Sequence, residues 1–492
     1  MKTKKTVTRV ISALLMLCML AGMAVGMVAC KDKNNGDENT GSFVSSDGAD
    51  LPFAKEDNGG KEFKILYYTN TTYKNFFFDD VTEAGDVIKA ALVERRLLVE
   101  DYLGIQLKGV AESNKENSIY DAIYRDTMSE SDNYQVALTH SYIGLGNLAT
   151  QGYIKDFYDF EHISLNDEYW NVDAMEALEI GGKAYFGTSN FMVNDLCAVF
   201  YNKKMYEEAK ITENPYELVR NGEWTLEKLM ELSSKVYVDK NGDQKYDKED
   251  IYGFVSRADW EFIPLIDSCE VQCLTGSSRK VLNMGANNDR YQTLYDTVED
   301  IEEAHWSYMY NFGDDKNKVT IADGRALFTF DQLRYAPNYL SSGVSFGVLP
   351  YPKLEKGQTT DYHSLDAGGM MCIPNTVQNE DLVGKVLECL SYYSADTVRI
   401  AYYERLLGSR VADAVDDAEM LKDYIFSKVS LNPAFNYCGK ATEPLGILVY
   451  TIPKMLRGKL NGDSEIQTIA TNWASNMVKA QEVIDNTINK KG

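Results

Sequence analysis

Histidine, cysteine and proline are scarce in this chain, and positive charge is in short supply. Its 492 residues include 4 His, 8 Cys and 10 Pro, and 74 acidic residues outnumber 50 basic ones, which gives a net charge of −24. So few histidines, none at paired spacing, argue against a zinc site. An acidic surface repels the phosphates of nucleic acid, and eight cysteines in so long a chain do not describe a disulfide scaffold. We therefore expect no zinc site and no nucleic-acid partner.

The N-terminus has the pattern of an export signal. A positive segment up to Arg9 is followed by an apolar run over residues 10–28. A single membrane-spanning helix could have the same length, but Val28-Ala29-Cys30 resembles the end of a bacterial lipobox, in which the cysteine thiol is lipidated and the leader is cut on its N-terminal side. The sequence thus predicts a leader over residues 1–29 and a lipid anchor at Cys30 on the outer face of a cell membrane.

Strand and helix patterns begin only after a polar segment. Residues 31–60 are rich in Asn, Gly, Asp and Ser, which predicts a flexible tether over residues 30–60. From residue 61 onward, strand patterns alternate with helical patterns at residues 86–103 and 118–128. This alternation predicts an α/β sheet with parallel pairing, whose ligands gather beyond the carboxyl ends of its strands. The loops that hold Asn70, Tyr73, Ser141 and Tyr142 are predicted to face such a cleft.

A strand, helix, loop and helix pattern covers residues 198–232 and contains no obvious catalytic group. Asn202 follows an apolar, β-prone run and is predicted to cap the first helix. Thr225 is predicted to cap the second helix, in which Leu226, Leu229 and Met230 form one apolar face. The stretch is therefore interpreted as the start of a second lobe.

An acidic loop follows at residues 239–250 and resembles an EF-hand calcium loop. Its oxygen-bearing side chains stand at loop positions 1, 3, 5, 9 and 12, as a hard divalent cation requires. It departs from the motif because Gln244 stands where glycine is usual and the last ligand is Asp instead of Glu. A solvated turn held by side-chain-to-backbone hydrogen bonds is the alternative. The candidate ligands of a structural calcium ion are Asp239, Asn241, Asp243, Lys245 through its carbonyl group, Asp247 and Asp250.

Four further motifs appear in a fixed order along the chain. Gly181-Gly-Lys-Ala-Tyr-Phe-Gly precedes the second-lobe pattern, and residues 321–333, 346–352 and 365–375 each combine a strand with Gly or Pro. With the lipobox, this series over residues 61–488 resembles extracellular solute-binding protein family 1, the sugar-binding lipoproteins of ABC transporters similar to maltose-binding protein. The resemblance implies a two-lobed periplasmic-binding-protein-like α/β fold of type II, in which each lobe is a mixed sheet flanked by helices. Several hinge crossovers would join residues 61–193 and 325–375 to residues 194–324 and 376–492.

The resemblance also implies where a ligand lies. Trp260 follows a strand at a place where the family brings an aromatic residue into the cleft, so its indole is expected to stack on a sugar ring. A buried core position is the alternative for this residue. The expected ligand-binding residues, all at loops or strand ends, are Asn70, Tyr73, Ser141, Tyr142, Asn190, Trp260, Asp331 and Asp366.

The function implied is that of a monomeric, non-enzymatic binding protein. It would capture an oligosaccharide between its lobes and present it to the permease subunits of an ABC importer. A surface-anchored glycoside hydrolase with two carboxylates is the first alternative, and a binding protein for a peptide or other solute is the second. A hydrolase barrel would show eight strand–helix units, whereas the sequence predicts three hinge-like crossovers.

Overall fold

The computed structural model describes residues 51–68, 86–112, 118–140, 144–192, 195–258, 260–271, 274–275, 280–281, 289–310, 317–358, 361–407, 415–437 and 473–489. Among the helices in these ranges, none is both long enough and apolar enough to cross a membrane. Four cysteines in the described ranges, Cys197, Cys269, Cys372 and Cys389, are buried free thiols.

Short strands make up the sheets. In chain order they are β1 (Lys61–Tyr68), β2 (Ile105–Glu112), β3 (Val136–Thr139), β4 (Cys197–Asn202), β5 (Tyr237–Val238), β6 (Ile251–Arg257), β7 (Leu274–Thr275), β8 (Lys280–Val281), β9 (Ser307–Tyr310), β10 (Ala326–Gln332), β11 (Phe346–Leu349), β12 (Ser364–Leu365), β13 (Met370–Cys372) and β14 (Val429–Ser430).

Helices connect and cover the strands. They are α1 (Asp86–Leu103), α2 (Ser118–Met128), α3 (Leu145–Gln151), α4 (Val172–Ala177), α5 (Lys203–Glu208), α6 (Pro215–Arg220), α7 (Leu226–Ser233), α8 (Pro264–Ser268), α9 (Asp289–Glu303), α10 (Ala336–Ser342), α11 (Glu380–Asp396), α12 (Val398–Leu407), α13 (Val415–Glu419), α14 (Pro433–Asn436) and α15 (Trp473–Asn489). A π-helical turn at Met420–Ile425 follows α13.

Two mixed sheets organise the described residues. The smaller sheet has the order β13-β3-β1-β2, in which β1 lies parallel to β2 and β3, and β13 is antiparallel to β3. The larger sheet has the order β11-β4-β10-β6-β5, with β9 also paired to β6. Strands β6, β9 and β10 are mutually parallel, and β4 is antiparallel to β10. The α/β class with mixed sheets flanked by helices is therefore confirmed.

Local capping explains the helices at the start of the larger sheet. The Asn202 side chain accepts a hydrogen bond of 3.0 Å from the backbone N–H of Met205 at the beginning of α5. The Thr225 hydroxyl accepts one of 3.2 Å from the backbone N–H of Lys228 in α7. Each side chain satisfies an amide that the first turn of a helix leaves unbonded. Both predicted caps are confirmed.

Helix α7 ends against the larger sheet so closely that only glycine fits beneath it. A Cβ atom built on Gly253 of β6 would lie 1.8 Å from the carbonyl oxygen of Ser233, the last residue of α7. The contact is with backbone, which cannot turn aside as a side chain can. Just before α7 begins, the buried indole N–H of Trp224 donates a hydrogen bond of 2.9 Å to the carbonyl oxygen of Pro350.

Helix α1 takes part in two separate apolar cores. Its N-terminal half contributes Ile88, Ala91 and Leu92 to a core that includes β4 and α12. Its C-terminal half contributes Val99 and Leu103 to the core between the smaller sheet and α11. One continuous helix is thus packed at both ends, each end against a different sheet.

The N-terminal end of the described chain differs from the expected tether. Leu51 is buried in the core of the smaller sheet. The backbone N–H of Glu56 donates a hydrogen bond of 2.9 Å to the carbonyl oxygen of Tyr102, and Lys385 Nζ lies 2.6 Å from the Glu56 carboxylate. The prediction of a tether is wrong for residues 51–60, because apolar and charged side chains in this polar segment have partners elsewhere in the fold.

Sheet membership also differs from the expected division of the chain. Strands β10 and β11 fall within residues 325–375, which we expected in the first lobe, yet they pair with β4 in the larger sheet. Helix α11 falls within residues 376–492 and packs against α1 beside the smaller sheet. Long-range pairing decides these placements, and it leaves no local pattern in the sequence. The lobe boundaries themselves stay a prediction.

Candidate functional site

Three chain segments run side by side where the two sheets meet. Leu196, just before β4, forms a bridge with Asp366, just before the smaller sheet's β13. The backbone N–H of Ala367 donates a hydrogen bond of 3.0 Å to the carbonyl oxygen of Asp195. The third segment is β14, which pairs in parallel with β12. The backbone N–H of Asp366 donates a hydrogen bond of 3.0 Å to the carbonyl oxygen of Ser430 in this strand. These adjacent crossovers have the arrangement of a hinge.

Two buried carboxylates hold the crossovers together. Asp366 Oδ1 accepts hydrogen bonds from the backbone N–H groups of Asp195 at 2.9 Å and Gly368 at 2.8 Å. The Asp195 carboxylate in turn lies 2.7 Å from Nη1 of Arg334, and their side chains are 8% and 17% exposed. Burial raises the pKa of Asp195, and the Arg334 guanidinium opposes that shift.

Asp366 therefore differs from the ligand-binding residue that we expected. It is 1% exposed and its carboxylate is bonded to backbone amides within the hinge. A carboxylate that fixes two amides in this way positions the crossover, and it has little surface left for a sugar. The sequence showed its place at a strand end but not the amides that face it.

The carboxyl ends of parallel strands supply polar and aromatic groups beside this hinge. On the larger sheet these ends carry Arg257 of β6, Tyr310 of β9 and Asp331 of β10. Arg257 Nε donates a hydrogen bond of 2.8 Å to the Glu261 carboxylate. Asp331 accepts hydrogen bonds from the Tyr339 hydroxyl and from the backbone N–H of Gln332. Burial is the main cause that raises the pKa values of Asp331 and Tyr310.

The smaller sheet presents its own strand ends to the same region. Tyr68 ends β1, and its ring meets that of His140, just after β3, edge to face at 5.5 Å. Burial, and after it the positive charge of Arg334, lowers the pKa of His140 to about 3. Because Arg334 closely follows β10, its electrostatic effect on His140 indicates that this strand end of the larger sheet lies near the end of β3. The space between them is the candidate ligand cleft.

His140 makes protein stability depend on pH in a defined direction. Its pKa is near 6.5 in the unfolded chain and about 3 in the folded chain, so between these values the unfolded state binds more protons. Stability attributable to His140 is therefore present above pH 6.5 and is lost as the pH falls towards 3. Between pH 7 and pH 4 we expect a loss of about 3 kcal/mol that the His140→Gln variant does not show.

Urea unfolding of the wild type and of His140→Gln at both pH values measures this difference. Other titrating groups contribute equally to both proteins, so the comparison isolates the imidazole. Equal losses of unfolding free energy in the two proteins would contradict the expected shift.

A second recess lies next to the crossovers. Its wall is formed by Asn171, Asn190, Met192, Arg399, Tyr402, Phe426 and Val429, and it encloses about 20 Å³, room for about one water molecule. Nη1 of Arg399 donates a hydrogen bond of 2.9 Å to the side-chain oxygen of Asn190. Asn190, one of the predicted binding residues that the structure describes, thus lies in the wall of this recess.

The remaining predicted binding residues have mixed outcomes. Asp331 lies at the carboxyl end of β10, next to the candidate cleft. Trp260 begins a short 3₁₀ turn directly after β6 and Arg257, and its stacking role stays a prediction. Asn70, Tyr73, Ser141, Tyr142 and the lipidation residue Cys30 lie outside the described residues.

Sequence reasoning missed the basic residues of this region. Arg257 ends a strand that was recognised, so its position was a usable signal. Arg334, Arg399 and His140 come together with their partners only through tertiary folding. No periodicity or motif in their own segments indicates those partners.

The acidic loop is closed by its own hydrogen bonds. The two carboxylate oxygens of Asp239 accept from the backbone N–H groups of Gly242 at 2.6 Å and Gln244 at 2.9 Å. Gln244 adopts φ +62°, and the buried Asp250 accepts from the Lys240 N–H at 3.0 Å. Across the described ranges, no group of three or more His, Cys, Asp or Glu side chains is arranged to hold a metal ion. The calcium site stays a prediction.

Chelation tests that prediction directly. An ion that binds the native loop and not the unfolded chain stabilises by about 2.7 kcal/mol at a hundredfold excess over its Kd, so we expect EGTA to lower the melting temperature and added calcium to restore it. Asp243→Asn keeps an oxygen for the turn and removes the charge, and it should blunt the response. A melting temperature that EGTA leaves unchanged would eliminate the calcium ion and leave the hydrogen-bonded turn.

The fold is that of two-lobed solute-binding proteins, as comparison with solved structures shows. MalE, the sugar-binding protein of Xanthomonas citri, is similar with a TM-score of 0.58 and 11% identity, over 88% of this chain and 100% of that one. The lacto-N-biose complex of the galacto-N-biose-/lacto-N-biose I-binding protein from Bifidobacterium longum has a TM-score of 0.56 at 14% identity, over 88% and 98% of the two chains. MalE of Listeria monocytogenes with maltose has a TM-score of 0.53 at 14% identity, over 88% and 99%.

No protein-family model matches the sequence, and no curated protein matches it. At 11–14% identity, the structural likeness shows a shared fold. The resemblance read from the order of elements is therefore confirmed at the level of fold.

Proposed function

We propose that this protein captures a carbohydrate in the cleft between its two sheets and presents it to the permease of an ABC importer. The supporting observation is that the segments at Leu196, Asp366 and Ser430, which lie side by side, connect the two sheets next to the ends of β3 and β10. Two lobes joined at such crossovers can close around a ligand by small backbone rotations. The closed form is then the state that a permease would recognise.

The chemistry of the cleft fits a sugar. Tyr310 places an aromatic ring, and Asp331 and Arg257 place polar groups, at neighbouring strand ends of the larger sheet. A sugar ring presents C–H faces to aromatic rings and hydroxyl groups to polar side chains. The similar solved structures include proteins in complex with maltose and with lacto-N-biose.

We also propose that the mature protein is a monomer held at the extracellular face of the cell membrane by a lipid on Cys30. The Val28-Ala29-Cys30 sequence after a basic and apolar leader supports this proposal. Export of a Cys30→Ala variant should release the protein into the medium. Continued membrane retention of that variant would contradict the proposed lipid anchor.

Calorimetric titration of the mature protein with a panel of sugars tests the main proposal. The panel should contain maltose, maltotriose, lacto-N-biose and, as a different class, short peptides. Saturable binding of a glycan without release of a shorter product is the expected result. Binding of peptides alone would overturn the sugar assignment, and release of shorter glycans would show a hydrolase.

Trp260 provides a site-directed version of the same test. A stacking indole contributes much of the apolar contact with a sugar ring, so Trp260→Ala should weaken glycan binding at least tenfold while the far-UV circular dichroism is unchanged. If this variant binds the glycan with wild-type affinity, Trp260 does not stack on the sugar, and the rest of the proposal is unaffected.

A further inference from the structure

The first described residues form a strap along one edge of the smaller sheet. This strap, residues 51–60, runs beside the turn that joins α1 to β2. The backbone N–H of Glu56 donates a hydrogen bond of 2.9 Å to the carbonyl oxygen of Tyr102 at the end of α1. The Tyr102 hydroxyl in turn donates one of 2.7 Å to the carbonyl oxygen of Phe53. Tyr102 thus holds the strap at two positions.

Side chains seat the strap against α11 and the core. Leu51 is buried in the core of the smaller sheet, and the ring of Phe53 meets that of His162 edge to face at 5.4 Å. Lys385 of α11 has a side chain that is 9% exposed, and its Nζ lies 2.6 Å from the Glu56 carboxylate. Because a buried ammonium group requires a carboxylate close by, the strap supplies part of the charge balance of this helix.

Gly104 leaves room for the strap. The residue has φ +59°, and a Cβ atom on it would lie 2.7 Å from the backbone nitrogen of Asn58. Its carbonyl oxygen accepts a hydrogen bond of 2.8 Å from the backbone N–H of Gly60. A side chain at this position would push the strap away from the turn, since the atoms that it would meet are backbone atoms.

The strap lies at the edge of the smaller sheet opposite the candidate cleft. It leads into the amino end of β1 and passes the amino end of β2, whereas Tyr68 and His140 mark the carboxyl ends beside the cleft. Strand β1 has 8 residues and is therefore about 26 Å long. The strap thus enters the fold about one strand length away from the cleft.

The partners of the strap belong to the smaller sheet and its helices. Across the described residues, its hydrogen bonds, ion pairs and ring contacts with the rest of the chain go to α1, the turn after it, His162 and Lys385. These partners lie apart from the crossover segments at Leu196, Asp366 and Ser430. The strap can therefore stay in place while the larger sheet rotates about the crossovers.

From these contacts we propose that the strap secures the membrane-anchored N-terminus to the lobe built on the smaller sheet, at the edge opposite the cleft. The lipid-linked chain then holds this lobe, and the larger sheet moves about the hinge without pulling on the anchor. This inference rests on the proposed lipid anchor at Cys30 and on the proposed ligand-binding function, and it adds which lobe is fixed. Residues 31–50 then join the strap to the anchor and can span at most about 70 Å.

Limited trypsin digestion of the mature chain tests whether the strap is held. Lys33 precedes the strap and Lys55 lies within it. Cleavage of a folded segment needs local opening, so we expect cleavage after Lys55 to be at least about tenfold slower than after Lys33. Gly104→Ala crowds the strap and Lys385→Gln removes its ion pair, and each variant should speed cleavage after Lys55 about tenfold.

Two control variants match these changes away from the strap. Gly152 has φ +76°, but a Cβ atom on it would meet nothing within 4 Å, so Gly152→Ala brings the backbone strain without the clash. Lys155→Gln removes an ion pair of 2.7 Å with Glu380 at the start of α11 and leaves the strap intact. Both should protect Lys55 as the wild type does. If Lys55 is cleaved as fast as Lys33, or if neither test variant exceeds its control, the inference fails and the proposed function stands.

A second measurement addresses the free movement of the hinge. The dissociation constants for maltose, maltotriose and lacto-N-biose should agree within about threefold between the lipid-anchored protein in phosphatidylcholine vesicles and the soluble mature chain. A larger difference would show that the anchor acts on the hinge and would overturn the inference. If none of these sugars binds either form while the strap resists trypsin, the proposed function falls, and the role of the strap in ligand capture falls with it.

Discussion

Asp195→Asn is expected to lower the free energy of unfolding by about 3 kcal/mol. The carboxylate lies 2.7 Å from Arg334, and both side chains are largely buried between the crossovers. Removing one partner of a buried ion pair leaves the other charge in a poor solvent, which typically costs about 3–5 kcal/mol. The variant keeps an oxygen in the same place, so the expected loss reflects charge more than shape.

A double-mutant cycle isolates the pair. Arg334→Gln alone should be similarly destabilising, whereas Asp195→Asn combined with Arg334→Gln should recover much of the loss, because no uncompensated charge then remains. Urea unfolding followed by tryptophan fluorescence measures all three proteins.

The exposed pair of Arg125 and Glu112, at 3.0 Å, is the matched comparison. Arg125→Gln should cost less than about 1 kcal/mol, since surface pairs are solvated and screened. An Asp195→Asn protein as stable as Arg125→Gln would show that the hinge pair does not hold the crossovers together.

Gly253→Ala is expected to be still more damaging. Its new Cβ would lie 1.8 Å from the Ser233 carbonyl oxygen, so helix α7 and strand β6 would have to separate. Both elements belong to the core around Phe254 and Leu232. Overpacking against backbone should exceed the usual cost of about 1–3 kcal/mol for an extra methylene group in a core, and we expect little soluble, folded protein.

Gly357→Ala is the corresponding control. A Cβ on Gly357 would meet nothing within 4 Å, and its backbone is not in the left-handed region. Its melting temperature should match that of the wild type. If the Gly253→Ala protein has the melting temperature of the wild type, α7 does not pack closely on β6.

Local patterns predicted the parts of the fold that depend on neighbours in the chain. The caps at Asn202 and Thr225 are confirmed because a capping side chain bonds an amide two or three residues away. The helices at residues 86–103 and 118–128 likewise match the helical patterns of the sequence.

Long-range contacts decided what the sequence could not show. Asp366 was recognised as lying at a strand end, but its backbone partners at Asp195 and Gly368, which made it part of the hinge, were not. Residues 51–60 have the composition of a tether, yet Leu51 and Glu56 find partners on α1 and α11. The basic residues Arg334 and Arg399 gain meaning only from side chains distant in sequence.

Helix α1 has a consequence for motion. Points near an axis of rotation move least. One end of α1 packs in the core of the larger sheet through Ile88 and Leu92. Its other end packs in the core of the smaller sheet through Val99 and Leu103. A domain motion that keeps both sets of contacts must place its axis close to this helix. Spectroscopic labels between α1 and either sheet should then report nearly constant distances with and without ligand, and labels across the cleft should report the whole displacement.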